Sequence, residues 1–245
     1  MDWLGDQQAV LAPYFFTPHP VAVAAVVAYG LFWSRLGPPL SPGRPGAWFG
    51  FVTGAGVYAL AQAWVRGEPT IALLDVITQN IDPDRVDDAR PLLGVLEALV
   101  AGYAEEIVKL LLILIVIFAM GYPRDPRAVT TAAVAPALGF ALFGANVALS
   151  PALQELPIDG DLAFPIIAQG LWIGLSVGTA YLLAKGWLSD RLGLYLVFAG
   201  MLHAVAAYTA TLAELGWHPV VVTLILAVVA LSAFTGGAGA IPSRH

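Results

Sequence analysis

Apolar stretches long enough to cross a lipid bilayer fill most of this chain, and they restrict the folds it can adopt. A helix needs roughly 20 residues to span a hydrocarbon layer of about 30 Å. Runs near or above that length lie at 20–34, 47–65, 92–120, 128–149, 163–184, 192–213 and 218–236. Only 11% of the 245 residues are charged and 59% are hydrophobic, whereas soluble domains carry about 25% charged residues. A soluble core cannot absorb this excess.

The apolar runs are predicted to be helices. Inside lipid every backbone N–H and C=O must be hydrogen-bonded, which leaves helices and closed barrels as the spanning structures. Barrel strands alternate apolar and polar residues, and stretches such as 110–118 show no alternation. The sequence therefore predicts an all-α, multi-pass bundle of about seven transmembrane helices in the cell membrane, forming a single domain over residues 1–245.

The distribution of cationic residues predicts the orientation of the bundle. Cytoplasmic loops are enriched in Lys and Arg. Seven cationic residues follow spans one, three, five and seven: Arg35 and Arg44, Arg124 and Arg127, Lys185 and Arg191, and Arg244. The loop after span two is the exception, and there Arg66, Arg85 and Arg90 stand among six acidic residues. Because these loops alternate along the chain, we expect the N-terminus outside and the C-terminus inside.

The loop at residues 66–91 is the longest connection and is rich in acidic residues, which suits an exposed outer cap. The net charge of −6 argues against nucleic-acid binding, for which a basic surface is expected. The chain contains no cysteine, so disulfides, thiolate metal sites and a cysteine nucleophile are excluded.

Polar residues inside the predicted spans give the shortest route to function, because ionisable groups at membrane depth are costly and usually functional. They are Glu105, Glu106 and Lys109 in span three, Asn146 in span four, Gln169, Ser176 and Thr179 in span five, and His203 and Tyr208 in span six.

The acidic pair of span three is predicted to face another helix. Lys109 follows the two glutamates by three and four residues, so the three side chains share one face. The small residues Gly94, Ala98 and Gly102 continue that face, and small residues allow close helix packing in membranes. The carboxylates should therefore point at protein and away from lipid.

Counting along the helices places the polar groups of three spans in the same half of the membrane. Glu105, Asn146 and His203 all fall in the outer half of their predicted spans. A carboxylate pair beside an imidazole can take a proton from water, and an amide can donate to an oxyanion. We therefore predict a hydrolytic site formed by Glu105, Glu106, His203 and Asn146.

At these residues the sequence resembles the PrsW family of intramembrane proteases, within the CAAX-protease and bacteriocin-processing superfamily. Residues 105–109, Glu-Glu-Ile-Val-Lys, resemble the family's Glu-Glu-x-x-Lys motif, and 139–146 resemble its Gly-Phe-x-Phe-Gly-x-x-Glu-Asn stretch. Residues 201–204 resemble its His-bearing helix. The chain departs from the pattern at Ala145, where the family has glutamate, and at Trp172, where a histidine is expected.

The resemblance implies a glutamic-type protease that cuts a membrane-anchored protein or peptide. Glu105 and Glu106 would activate water, and His203 and Asn146 would assist or hold the oxyanion. Catalytic zinc usually has three protein ligands, and one histidine with a glutamate pair is a poor set, so no cofactor is expected.

Three other interpretations stay open from the sequence. The charged residues of span three could form a structural salt-bridge cluster, with His203 and Asn146 as hydrogen bonds between helices. A non-catalytic relative could bind or chaperone single-span partners, an interpretation that Ala145 and Trp172 favour. A small proton-coupled transporter could use the same charges as a relay, but it predicts inverted halves that the sequence does not display.

Overall fold

The computed structural model describes residues 19–36, 45–65, 76, 86–121, 125–155 and 163–238. Within these ranges the backbone forms helices and turns and no strand, so the all-α prediction is confirmed there. Seven helices are present in the described ranges: α1 Pro20–Leu36, α2 Pro45–Val65, α3 Val86–Ala119, α4 Pro126–Glu155, α5 Ala163–Leu188, α6 Leu192–Glu214 and α7 Pro219–Ala238.

The helices match the seven predicted runs to within a few residues at most ends. Two ends differ, because α3 begins six residues before position 92 and α4 continues six residues past position 149. The last part of the predicted 66–91 cap therefore belongs to α3. Apart from the helical residue Val76, the rest of that predicted cap lies outside the described residues.

Four of the described helices are long and apolar enough to cross a membrane, and they indicate a membrane protein. These stretches are Pro126–Ser150, Ala163–Leu188, Leu192–Glu214 and Pro219–Gly237. The 34-residue α3 also has the length, but Glu105, Glu106 and Lys109 interrupt its apolar sequence. Spanning by α1, α2 and α3 stays a prediction.

Helices α4 and α5 form the centre of the bundle. Residues 129–140 of α4 and 173–184 of α5 are continuously buried, as expected for helices that are apolar on all sides. α1 and α2 pack against α4, α7 packs against α5, and α3 pairs with α6 beside them. The turns at 189–191 and 215–218 are short, so α5, α6 and α7 run antiparallel in succession.

The small-residue face of α3 packs on another helix, as the sequence predicted, and that helix is α6. A Cβ atom on Gly102 would lie 2.5 Å from the backbone nitrogen of Ala204, and one on Gly94 would lie 2.3 Å from the side chain of Thr211. These separations leave no room for a larger residue. The close approach brings α3 to within side-chain reach of His203, the residue before Ala204.

A second close contact fixes the rotation of α4. A Cβ on Gly54 of α2 would lie 2.0 Å from the carbonyl oxygen of Pro136, and one on Gly139 would lie 2.1 Å from the carbonyl oxygen of Phe51. The Gly139 face of α4 is therefore held against α2, and the face carrying Ala141 and Ala145 is turned towards the other side of the bundle.

Candidate functional site: a buried glutamate–lysine–histidine cluster

A buried ion pair anchors the cluster on α3. The Lys109 ammonium lies 2.5 Å from Glu106 Oε1, and both side chains are fully enclosed, at 0% exposure. Lys109 Nζ also donates a hydrogen bond of 3.0 Å to the Thr179 hydroxyl of α5. The Thr179 hydroxyl in turn donates to the carbonyl oxygen of Ser176 at 3.2 Å. Enclosed charges are stable only when paired and hydrogen-bonded, which this arrangement achieves for the ammonium.

His203 of α6 lies between the two glutamates. Its Nδ1 is 2.9 Å from Glu106 Oε1, and its Nε2 is 3.0 Å from Glu105 Oε2. The second contact has ion-pair distance but is out of line for a full hydrogen bond. The imidazole is 1% exposed, so the ring is held at both edges by carboxyl groups.

The proton count of the cluster follows from these contacts. An ionised carboxylate only accepts hydrogen bonds, and a carboxyl oxygen faces each ring nitrogen. Both contacts are satisfied together when the ring carries two protons, or when one carboxyl group carries a proton. With Lys109 charged and the imidazole doubly protonated, the two glutamates are balanced and the cluster is neutral. Either state places one additional proton on the imidazole or on a carboxyl group.

Glu105 differs from Glu106 in its access to open space. Its side chain is 23% exposed, whereas that of Glu106 is 0% exposed. Two cavities meet at Glu105. The first, the α3–α6 cavity, has a volume of about 360 Å³ and is lined by Glu105, His203 and Trp172 and, towards the end where α3 begins and α6 ends, by Glu97 and Glu214.

The second cavity, the α4–α5 cavity, is also lined by Glu105. Its volume is about 250 Å³, and small residues of α4 and polar residues of α5 line it. The lining includes Tyr58 of α2, Glu105, the α4 residues Ala141, Gly144, Ala145 and Ala148, and the α5 residues Gln169, Trp172 and Ser176. Glu105 thus lines two cavities that are large enough for water molecules.

Both positions at which the chain departs from the PrsW pattern lie at this site. Ala145 lines the α4–α5 cavity, and Trp172 lines both cavities. The Trp172 ring packs on His203, with centroids 5.0 Å apart and planes at 46°. The indole therefore forms a wall beside the imidazole, and the imidazole still faces the two glutamates.

Asn146 is the one predicted site residue that does not join the cluster. It lines a different cavity, of about 590 Å³, between α1, α2 and α4, together with Gly139 and Phe143. Its Oδ1 atom is buried and accepts no hydrogen bond from the described residues. Gly139, Phe143 and Asn146 lie along one face of α4, and that face is turned to α1 and α2.

Two residues that contribute to the site had no predicted role. Thr179 holds Lys109, and Gln169 shares a cavity with Glu105. Their polarity within span five was the available signal, but the sequence did not reveal which helix face they occupy. In the part of the chain that the structure describes, no group of three or more His, Cys, Asp and Glu side chains is arranged to hold a metal ion.

A surface ion network lies at the end of the α3–α6 cavity. Arg90 donates hydrogen bonds to Glu214 of α6 and, at 3.0 Å, to Glu97 two turns further along α3. The hydrogen bonds with Glu214 and Glu97 raise the pKa of Arg90 above its ordinary value, so this guanidinium stays charged. Two carboxylates and one guanidinium give the opening of the cavity a polar rim.

Comparison with known proteins adds no relative: no family model, no curated protein and no solved structure matches the chain. The resemblance to the PrsW family therefore rests on the motifs at residues 105–109, 139–146 and 201–204 alone.

Proposed function

We propose that the protein is an intramembrane peptide hydrolase, similar in kind to the PrsW proteases, in which Glu105 activates water. One observation carries the proposal. Glu105 is the partly exposed carboxylate of an otherwise enclosed cluster, and it lines two cavities while touching the imidazole of His203. A general base needs both reach to its water and a neighbour that can exchange its proton.

The reaction follows from these roles. Glu105 takes a proton from a water molecule as the water oxygen bonds to the carbonyl carbon of a peptide bond. The tetrahedral intermediate then collapses with cleavage of the carbon–nitrogen bond, and Glu105 passes the proton to the leaving amine, which restores the starting state. His203 Nε2 lies 3.0 Å from Glu105 Oε2 and holds the carboxyl group in place between these two transfers.

Glu106, Lys109 and Thr179 act as positioning residues. Glu106 is enclosed and cannot touch a substrate. Its Oε1 contacts both Lys109 Nζ and His203 Nδ1, which fixes the orientation of the ring. In this proposal only Glu105 activates water, whereas the family resemblance implies that both glutamates do.

The α3–α6 cavity is the proposed route for water. A water molecule occupies about 30 Å³ in the liquid, so a volume of about 360 Å³ holds several between the rim and Glu105. Polar side chains at the rim, such as Glu97 and Glu214, keep that entrance hydrated. The substrate is a membrane-anchored protein or peptide, because the reacting carboxylate lies within the helix bundle.

We further infer seven membrane spans, with the N-terminus outside and the C-terminus inside, in the cell membrane. The chain has no native cysteine, so single cysteines report topology directly. Leu215→Cys, in the α6–α7 turn, should react with a membrane-impermeant thiol reagent on intact cells. Ser189→Cys, in the α5–α6 turn, should react only after lysis, and the reverse pattern would overturn the orientation.

The enzymatic proposal is tested by comparing newly formed peptide N-termini in membranes of cells expressing wild type, Glu105→Gln or Glu97→Gln. Glu97 is the matched control, since it lies on the same helix two turns away and lines the α3–α6 cavity. Cleavage products should be present with wild type and Glu97→Gln and lost with Glu105→Gln. Products that persist with Glu105→Gln, or none in any sample, would contradict hydrolysis.

A second candidate function is favoured by the lining of the α4–α5 cavity. Ala145 and Trp172 occupy the cavity walls where the family pattern has glutamate and histidine. A chain lacking these groups would serve as a non-catalytic binder of single-span proteins. This candidate predicts that wild type forms no new N-termini, and that Ala145→Glu with Trp172→His gains cleavage that depends on Glu105.

A further inference from the structure

We propose that α5 binds the backbone of an unwound substrate segment in the α4–α5 cavity, through the Gln169 amide at one end and the Ser176 hydroxyl at the other. This proposal rests on the proposed function and assigns its substrate side: the peptide occupies the α4–α5 cavity, and water arrives through the α3–α6 cavity.

The need for such contacts follows from the chemistry of a peptide bond in lipid. A helical peptide bond has its carbonyl oxygen hydrogen-bonded and shielded by side chains, so attack on the carbonyl carbon requires local unwinding. Each backbone group that loses its partner in an apolar environment costs several kcal/mol. A cavity that receives an unwound segment must therefore offer hydrogen-bonding groups.

Gln169 and Ser176 are suited to supply them. Both line the α4–α5 cavity with Glu105. Among the described residues, neither the Gln169 amide nor the Ser176 hydroxyl takes part in a side-chain hydrogen bond, and only the Ser176 carbonyl oxygen is engaged, by Thr179. Ser176 is 3% exposed, so its hydroxyl is a buried polar group at the cavity wall.

The distance between Gln169 and Ser176 along α5 matches an extended peptide. Seven positions along a helix separate them by about 10.5 Å. An extended chain advances about 3.3 Å per residue, so the two contacts fall three residues apart on the substrate. Trp172 lies between them on α5 and lines the cavity with Glu105, which places the middle of that segment beside Glu105.

The wall of the α4–α5 cavity that α4 forms limits the size of the substrate side chains that fit. The α4 residues Ala141, Gly144, Ala145 and Ala148 form a stripe of small side chains at helical spacing, and the cavity volume is about 250 Å³. The cavity has room for a backbone with small side chains and lacks room for several leucine-sized ones. Ala148 and Ala210, which are exposed, mark an opening through which a segment could enter. The substrate class is thus a span interrupted by glycine, alanine or serine.

A binding experiment in the Glu105→Gln background tests this without hydrolysis. The probe is a fluorescent synthetic peptide with a leucine span interrupted by Gly-Ala-Ser-Gly in its outer half, and the comparison peptide has an uninterrupted leucine span. Binding is measured in lipid nanodiscs for Gln169→Leu and Ser176→Ala. Asn146→Leu is the matched control, because it removes a membrane-embedded amide from the separate cavity between α1, α2 and α4.

The interrupted probe should bind more tightly than the uninterrupted one. Each α5 substitution should weaken its binding about three- to tenfold, the loss of one hydrogen bond, with unchanged thermal stability. Asn146→Leu should leave binding unaltered. Equal binding of the two peptides, no binding, or equal effects of all three substitutions would overturn the proposal. Because binding needs no catalysis, this result is independent of whether Glu105→Gln abolishes cleavage.

Discussion

Removing the Lys109 ammonium should destabilise the protein far more than removing any surface charge. The change Lys109→Met keeps most of the side-chain volume and deletes the charge that faces Glu106. Glu106 would then be an enclosed carboxylate whose remaining contact among the described residues is the one with His203. Its Oε2 atom already accepts no hydrogen bond from the described residues, so the variant leaves the charge poorly compensated.

The expected loss can be estimated from the separation of the two groups. At 2.5 Å and an effective dielectric constant of about 20, the attraction is roughly 6–7 kcal/mol. This is an upper limit, because the His203 contact persists and the carboxyl group can take up a proton. Breaking one side of a buried pair costs about 3–5 kcal/mol in measured cases, and we expect a loss of free energy of unfolding in that range.

The assay is denaturant unfolding in detergent micelles, followed by circular dichroism, for wild type, Lys109→Met and the double variant Glu106→Gln/Lys109→Met. The double variant removes both charges, so it should be more stable than Lys109→Met alone. A Lys109→Met protein as stable as wild type would refute the reasoning. So would a double variant that is less stable than the single one.

Four further substitutions test the helix packing, the Thr179 hydrogen bond and the surface charges separately. Gly102→Ala should destabilise the protein and abolish cleavage, because its Cβ would meet the Ala204 backbone at 2.5 Å. Gly56→Ala, with nothing within 4 Å of its Cβ, should gain about 0.5–1 kcal/mol of stability. Equal melting temperatures of the two variants would contradict this. Thr179→Val removes the hydroxyl that accepts from Lys109 and should cost about 1–3 kcal/mol in the same unfolding assay. Arg90→Gln should change stability by less than about 1 kcal/mol, and its effect should shrink in high salt.

The helices could be predicted from the sequence because hydrophobic length alone determines them in a chain of this kind. The start of α3 was missed by six residues because 86–91 are polar enough to resemble a loop. The contact between α3 and α6 was also predictable in part. Gly94 and Gly102 signal a close helix approach, and the structure supplies α6 as the partner.

The position of Asn146 was not predictable, because depth gives the level of a residue and not the direction in which it points. Rotation of α4 is fixed by the reciprocal contacts of Gly54 and Gly139 with the α2–α4 backbone. Those contacts turn Asn146 to the α1–α2 side and its neighbour Ala145 towards Glu105. One residue along a helix changes direction by about 100°, which separates the two cavities.

The different environments of Glu105 and Glu106 could not be predicted from the sequence either. The two residues are adjacent and chemically identical, so only packing distinguishes them. Lys109 and His203 both contact Oε1 of Glu106 and enclose it, whereas Glu105 lies where the α3–α6 and α4–α5 cavities meet.

Incorporation of heavy oxygen gives the most direct measurement of water activation by Glu105. Purified protein would be reconstituted in liposomes with the glycine-interrupted single-span peptide in water enriched in ¹⁸O, and the products analysed by mass spectrometry. Wild type should yield a product whose new carboxyl group carries one ¹⁸O atom, and Glu105→Gln should yield none. Cleavage without ¹⁸O, or labelled product from Glu105→Gln at the wild-type rate, would contradict the account.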